Sequence, residues 1–321
     1  RGRIPRIAVM ERMWRGTISA VNNNGIGVCG IAGGSGNNDG VRLCLFKFLP
    51  DGYQSTISPE CWMRSIMQPV SGASILQCSW GLMSGAINSD EQYLDERSIE
   101  ANAFAHFINT KRPGSPLNGG IIIFAAGNEA GACGYPAAYP SVVCVTSLST
   151  DFTPSVFTNY GMPADIAAPG GDLYYHKNLS DAGQVLSTVL KLDGMYAYMS
   201  GTSMSCPHVS GVAALGLSYA KQLGKTFEPD EFRDMVLASV NDLDPYLTGV
   251  KKHNNGTMNL VEYKGKNGFG YDRRLQDADG CTGYSGDHGR AGQADDDFAV
   301  EILRGCYCTF LYAGGERCGE R

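Results

Sequence analysis

The stretch able to do chemistry is Met199 to Gly216, MSGTSMSCPHVSGVAALG. It sets Ser203 directly after a small turn, Ser200-Gly201-Thr202, and at the head of an apolar helical pattern running from Met204 to about Tyr219. A hydroxyl at a helix N-terminus lies among unpaired backbone N–H groups and at the positive end of the helix dipole. The same groups can hold the negative charge that appears when a nucleophile attacks a carbonyl. An N-cap serine satisfies this spacing too and is the commoner occupant of it. Pro207, in the first turn, is compatible with either role because a missing N–H costs little there.

The elements that would position this serine alternate between strand and helix. Ser74 to Trp80 is predicted as a strand, Ser89 to Asn109 as a helix opened by the capping pair Ser89 and Gln92, and Ile121 to Ala126 as a fully apolar strand. Val142 to Ser147 and Asp165 to Ala168 are further strands; Val41 to Leu49 and Pro59 to about Gln68 add a strand and a short helix earlier in the chain. Such alternation predicts an α/β fold, a doubly wound and mostly parallel sheet flanked by helices, with ligands gathering at the strand C-terminal ends. Two loops lie at those ends, Ser79-Trp80-Gly81 and Ala125-Ala126-Gly127-Asn128-Glu129.

The string GTSMSCPHVSG closely resembles the nucleophile motif of the subtilisin-like serine peptidases, the subtilases, with Ser203 at the nucleophile position. In that family the histidine of this motif, here His208, is not the catalytic base. Phe157-Thr158-Asn159-Tyr160-Gly161 and Ala167-Ala168-Pro169-Gly170 also resemble family segments, so that the resemblance runs from about Thr17 to Tyr271. It implies that Asn128 donates to the oxyanion. It further implies that Ser79, Trp80, Gly81, Ala125, Ala126 and Gly127 line the substrate pocket, partly apolar through Trp80 and Leu82. A protein or peptide substrate and a secreted or cell-envelope location follow from the same resemblance. So does calcium as a family ion with no residues assignable to it; no other cofactor and no metal ligands are assigned.

A serine is a weak nucleophile without a base, and the family orders its triad Asp, His, Ser along the chain. His106, His176, His208, His253 and His288 all lie outside the family context His-Gly-Thr-His-Val-Ala-Gly, whose first histidine would fall at Met10. No segment before it resembles the aspartate strand. Val9 to Gly16 can nevertheless be encoded by GTC ATG GAA CGC ATG TGG CGG GGN, which read from the last base of the valine codon gives His-Gly-Thr-His-Val-Ala-Gly. Asp272 to Asp279 can likewise be encoded by GAT CGA CGC CTA CAA GAT GCT GAN, which read one base later gives Ile-Asp-Ala-Tyr-Lys-Met-Leu, similar to the family's closing segment. The domain expectation is therefore an out-of-frame or divergent segment 1–15, a subtilisin-like peptidase domain 16–271 incomplete at its N-terminus, and an out-of-frame, disordered tail 272–321. Two functions remain open: a serine endopeptidase whose present form lacks its base, and a catalytically dead relative that binds peptides.

Several other readings fail on their own terms. The GxGxxG of Gly25, Gly27 and Gly30 is followed by Gly33, Gly34 and Gly36, which prevent the helix a dinucleotide site needs. Ser203 lacks the second glycine of a G-x-S-x-G elbow, and Asp277-Ala278-Asp279-Gly280 lacks the closing acid of a calcium loop. A net charge of −6 disfavours a nucleic-acid partner, and no apolar run is long enough to span a bilayer. Eleven cysteines without paired spacing suggest neither a disulfide framework nor a zinc site; Cys29, Cys78, Cys144 and Cys206 read as small core residues.

Overall fold

The computed structural model describes residues 6–37, 39–44, 73–174, 181–190, 194–254 and 256–268, with side chains from Arg12 onward. The chain begins with α1 (Arg6–Ser19) and, after a long loop, enters the sheet at β1 (Ile75–Cys78). Helices α2 (Asp90–Glu96) and α3 (Ser98–Asn109) lead to β2 (Ile121–Ala125), β3 (Val143–Leu148) and β4 (Ile166–Pro169). A hairpin of β5 (Val185–Thr188) and β6 (Tyr196–Met199) precedes α4 (Thr202–Gln222) and α5 (Pro229–Ala238). A second hairpin, β7 (Val250–His253) and β8 (Gly256–Asn259), closes the described chain.

Strands β1 to β4 form one parallel sheet in sequential order, with Ile75 beside Ile121, Ile123 beside Val143 and Val145 beside Ile166. Every residue of β2 and β3 is buried, as expected of strands covered on both faces. Alternate residues of β2 serve opposite cores. Ile122 and Phe124 pack with Tyr93, Phe104 and Phe107 of α2 and α3. Ile121, Ile123 and Ala125 pack with Cys206, Val209, Ala213 and Leu217 of α4 and Phe232 of α5. The α/β architecture inferred from the alternation is the observed one, and α4 lies across the sheet, contacting all four strands.

Three expectations are corrected. The helix expected over Ser89–Asn109 is two helices, because Arg97 leaves the helical region (φ −127°, ψ 29°) between them. Ser89 does cap α2, accepting from the Gln92 N–H, while the Gln92 side chain accepts from the N–H of Asn88 instead of returning to Ser89. Residues 41–44 of the expected strand Val41–Leu49 carry no strand, and 45–49 lie outside the described residues. Cys29 is exposed, carried outward by a loop that turns through left-handed glycines at Gly25 and Gly27, whereas Cys78, Cys144 and Cys206 are buried. The helix at Pro59–Gln68 and the tail 272–321 also lie outside the described residues.

Helix α1 straddles the boundary proposed at residue 15. Its seat reads main chain: the Ser187 hydroxyl donates to the Met13 carbonyl and the Thr188 hydroxyl to the Arg12 carbonyl, both at 2.8 Å. Gly16 lets α1 approach β5, since a Cβ there would run into the Thr188 and Ser187 hydroxyls. Buried Met13 packs on Val189 and Met204, next to Ser203. The adjoining Trp14 indole N–H is buried with no hydrogen-bond partner, a cost a matched side chain would avoid.

Candidate active site

Ser203 is the second residue of α4, and Gly201, not Ser203, occupies the N-cap. Gly201 holds φ +155°, a backbone region open essentially to glycine, so the turn before the serine depends on it. The Gly201 N–H donates to the Gly170 carbonyl at 2.9 Å, tying the turn to the end of β4. The N–H groups of Thr202 and Ser203 precede the first intrahelical donor and need outside acceptors.

Asn128 supplies one. Its Oδ1 accepts from the Thr202 N–H at 2.8 Å and from the Thr202 hydroxyl at 3.0 Å. Because both partners are donors, the amide orientation is set: Oδ1 is consumed by the helix terminus and the Nδ2 donors remain for a ligand. The loop bearing Asn128 is fixed from below by the fully buried Asn159. Its Oδ1 accepts from the N–H groups of Glu129 and Gly131, and its Nδ2 donates to the Ala126 carbonyl and the Glu129 carboxylate. Gly127 lies at φ +111°, and a Cβ there would strike the Asn159 amide, so this close approach requires glycine.

Ser79, Trp80, Gly81, Ala125, Ala126, Gly127, Asn128 and Ser203 all line a single cleft of about 170 Å³ at the C-terminal ends of β1 and β2. Leu82, Met83, Glu129, Gly134 and Thr202 complete its wall. Trp80 packs edge-on against Phe124 with ring centroids 5.0 Å apart. Ser79 couples β1 to the nucleophile helix: its hydroxyl donates to the Ser203 carbonyl at 3.0 Å, and Gln77 Nε2 donates to that hydroxyl at 2.6 Å. Sequence reasoning missed the part played by Gln77, Asn159 and Thr202; the quoted segment Phe157–Gly161 was the available signal for Asn159.

Ser203 Oγ points to the Ser79 carbonyl at 3.4 Å, and no described imidazole hydrogen-bonds to it. His208, one turn further along α4, is 9% exposed and bonds through Nδ1 to the Met204 carbonyl at 2.7 Å. Burial lowers its pKa to about 4, so at neutral pH it is an uncharged packing group. His106 lies in the last turn of α3 and His253 ends β7; the backbone at residue 10 is helical, and His176 and His288 lie outside the described residues.

Ser203 thus stands at the head of a helix, at the C-terminal edge of a parallel sheet and in the same cleft as the Asn128 amide. The model of the subtilase family, peptidase family S8, matches residues 13–270, and the chain belongs to that family. It is 29% identical over 236 residues to the extracellular basic protease of Dichelobacter nodosus, covering 70% of this chain and 34% of that protein. A calcium-dependent protease of Nostoc sp. is 27% identical over 256 residues, covering 70% of this chain and 36% of the other. Among solved structures, a protease of Pseudoalteromonas arctica PAMC 21717 superposes with a TM-score of 0.50 and 25% identity, over 72% of this chain and 63% of that one. The chain thus spans about a third of the length of these curated relatives.

Proposed function

We propose that the subtilase domain of this chain derives its site from peptide-bond hydrolysis through an acyl-enzyme on Ser203. The observation that carries the reading is the Asn128 amide, its Oδ1 held by Thr202, lining the same cleft as Ser203. In this mechanism Ser203 Oγ attacks the carbonyl carbon of a peptide bond, and the resulting oxyanion accepts from Asn128 Nδ2 and the Ser203 N–H. A histidine at position 10, present only in the restored reading frame, takes the hydroxyl proton and delivers it to the leaving amine. Water then releases the acyl group by the reverse proton path.

For the chain as written, with Met10 in that place, we propose little hydrolytic activity. The domain reading is 16–271 as the subtilase unit, with an out-of-frame or divergent segment 1–15 and an out-of-frame tail 272–321; the family match ends at 270 but starts at 13, three residues inside the first flank, and the unpartnered Trp14 indole is what favours the boundary there. The second reading, a peptide-binding module without catalysis, is favoured by the Ser203 hydroxyl resting on a carbonyl instead of a base. Secretion is proposed from the family and from the extracellular relative. The partner is a peptide or protein, and no described helix is long and apolar enough to cross a membrane.

Calcium, implied by the family, is tested by the donor set. Among the described residues no three His, Cys, Asp or Glu side chains gather. The two buried carboxylates carry protein cations, Asp165 with Arg233 and Asp172 with Lys251. These residues do not fit a carboxylate-built calcium site, and no step of the mechanism passes through a metal.

The deciding experiment sequences the encoding DNA across the codons for residues 1–17 and 270–279 and compares the written and restored chains with a fluorophosphonate probe. The restored chain, including its upstream aspartate strand, is expected to label at Ser203 and to cleave a peptide, with both lost in Ser203→Ala. A restored chain that neither labels nor cleaves would overturn the peptidase reading. An unaltered DNA sequence, with peptide binding that Ser203→Ala leaves intact, would establish the binding module.

A further inference from the structure

Lys251 is 4% exposed on β7, and its ammonium is aimed into the protein. It donates to the Pro154 carbonyl at 2.8 Å and to Asp172 Oδ2 at 3.1 Å, with Asp151 Oδ1 at 3.8 Å. Asp172 is wholly buried, and its carboxylate also accepts the N–H groups of Val156 and Tyr174. A carboxylate with no access to water needs a counter-charge. Lys251 brings that charge from a hairpin distant in sequence.

The groups tied together here lead to Ser203. Asp172 follows Gly170 and Gly171, whose N–H groups both donate to the Leu148 carbonyl. The Gly171 carbonyl accepts from the Ser155 hydroxyl at 2.8 Å, within the same 151–156 loop that Lys251 clamps. The Gly170 carbonyl accepts the N–H of Gly201, the N-cap of the nucleophile helix. Gly171 and Gly201 both hold positive φ, +75° and +155°, conformations open to glycine at no steric cost, so what fixes the turn is its hydrogen bonds and not the backbone alone.

We propose that Lys251 is a positioning residue for the nucleophile turn, a tethered cation that seats residues 170–172 on the 151–156 loop and thereby holds the Gly201 N-cap in place. The compact ammonium does here what a bound metal does in other folds: it gathers carboxylates and a carbonyl around one positive point. Because the cation belongs to β7, the last hairpin of the described chain sets the geometry in front of α4. This deepens the reading of Ser203 and takes its meaning from it. Its readout needs no catalysis, so failure of one leaves the other standing.

The test is amide hydrogen exchange on the purified chain, comparing Gly201 with Phe124 at the centre of the sheet. In Lys251→Met the buried Asp172 charge is left alone. Exchange at Gly201 is expected to rise on the order of a hundredfold, the scale of breaking one buried ion pair, with Phe124 unchanged. Adding Asp172→Asn removes the stranded charge and is expected to recover most of the Gly201 protection. An equal rise at Phe124 would reduce Lys251 to general stability, and a double variant no better than the single would show packing instead of charge; either overturns the proposal. Should Lys251→Met not fold, the double variant decides. A folded double with Gly201 protected upholds the proposal, and an unfolded one refutes it.

Discussion

Replacing His208 with glutamine tests how the nucleophile helix is built. The imidazole is buried in α4, bonded to the Met204 carbonyl, and burial holds its pKa at about 4 against an ordinary 6.5. A depressed folded-state value means that the unfolded chain takes up the proton first as pH falls. The native state is unpenalised above pH 6.5 and loses stability progressively from there down to about pH 4. At ~1.4 kcal/mol per pH unit, the loss assignable to this single ring saturates at about 3 kcal/mol. Glutamine can still donate to the Met204 carbonyl but does not titrate. Urea unfolding of both proteins between pH 8 and pH 4.5 cancels the carboxylates they share. The difference in unfolding free energy should be flat above pH 7, then move in favour of His208→Gln by up to about 1.4 kcal/mol per unit below pH 6. Parallel stability curves, or a His208 ring that titrates near its ordinary value in the folded protein, would refute the reasoning.

Asn159→Ala removes the amide that receives two loop N–H groups and bonds the Ala126 carbonyl and Glu129; a loss of about 2–3 kcal/mol is expected in the same unfolding assay. Arg233→Met strands the buried Asp165 carboxylate and should cost about 3 kcal/mol, while Arg233→Met with Asp165→Asn should recover part of it in a double-mutant cycle. Phe104→Ala empties a wholly buried ring site against Phe124 and is expected to lower stability by about 3–5 kcal/mol, read as a fall in urea midpoint at constant slope. In the restored chain, Asn128→Leu should lower the turnover of a peptide substrate by about a hundredfold to a thousandfold with little change in KM, a range known from a member of this same family.

The centre of the sheet was legible because β2 is buried on both faces and reads as an unbroken apolar run, Ile121 to Ala125. The serine turn was legible because a glycine, Gly201, stands among small residues directly ahead of an apolar helical pattern, and the structure holds it at positive φ. The break at Arg97 was not, since no glycine or proline marks it and the apolar period continues from Tyr93 through Ala101 to Phe104. Helix α5 carried a signal that went unread: Glu228, Pro229 and Glu231 form a capping box with proline in the first turn. The hydrogen bonds that aim Asn128 connect it to Thr202 across the fold, 74 positions away. Composition and spacing locate such residues without indicating which atom faces which. The exposure of Cys29 has the same origin, for it follows backbone turns at Gly25 and Gly27 that side-chain character does not reveal.

In the seat of α1, Ser187 and Thr188 grip carbonyl oxygens, and Gly16 contributes by lacking a side chain, so the grip is indifferent to which amino acids precede that glycine. Those bonds hold the backbone of the helix, and the one buried side-chain contact they leave to be met ahead of Gly16, among the described residues, is apolar: Met13, packed on Val189 and Met204. At this edge of the domain the mooring therefore rests on main-chain oxygens, a glycine and one buried apolar contact, and it constrains the course of the backbone more closely than the amino acids along it.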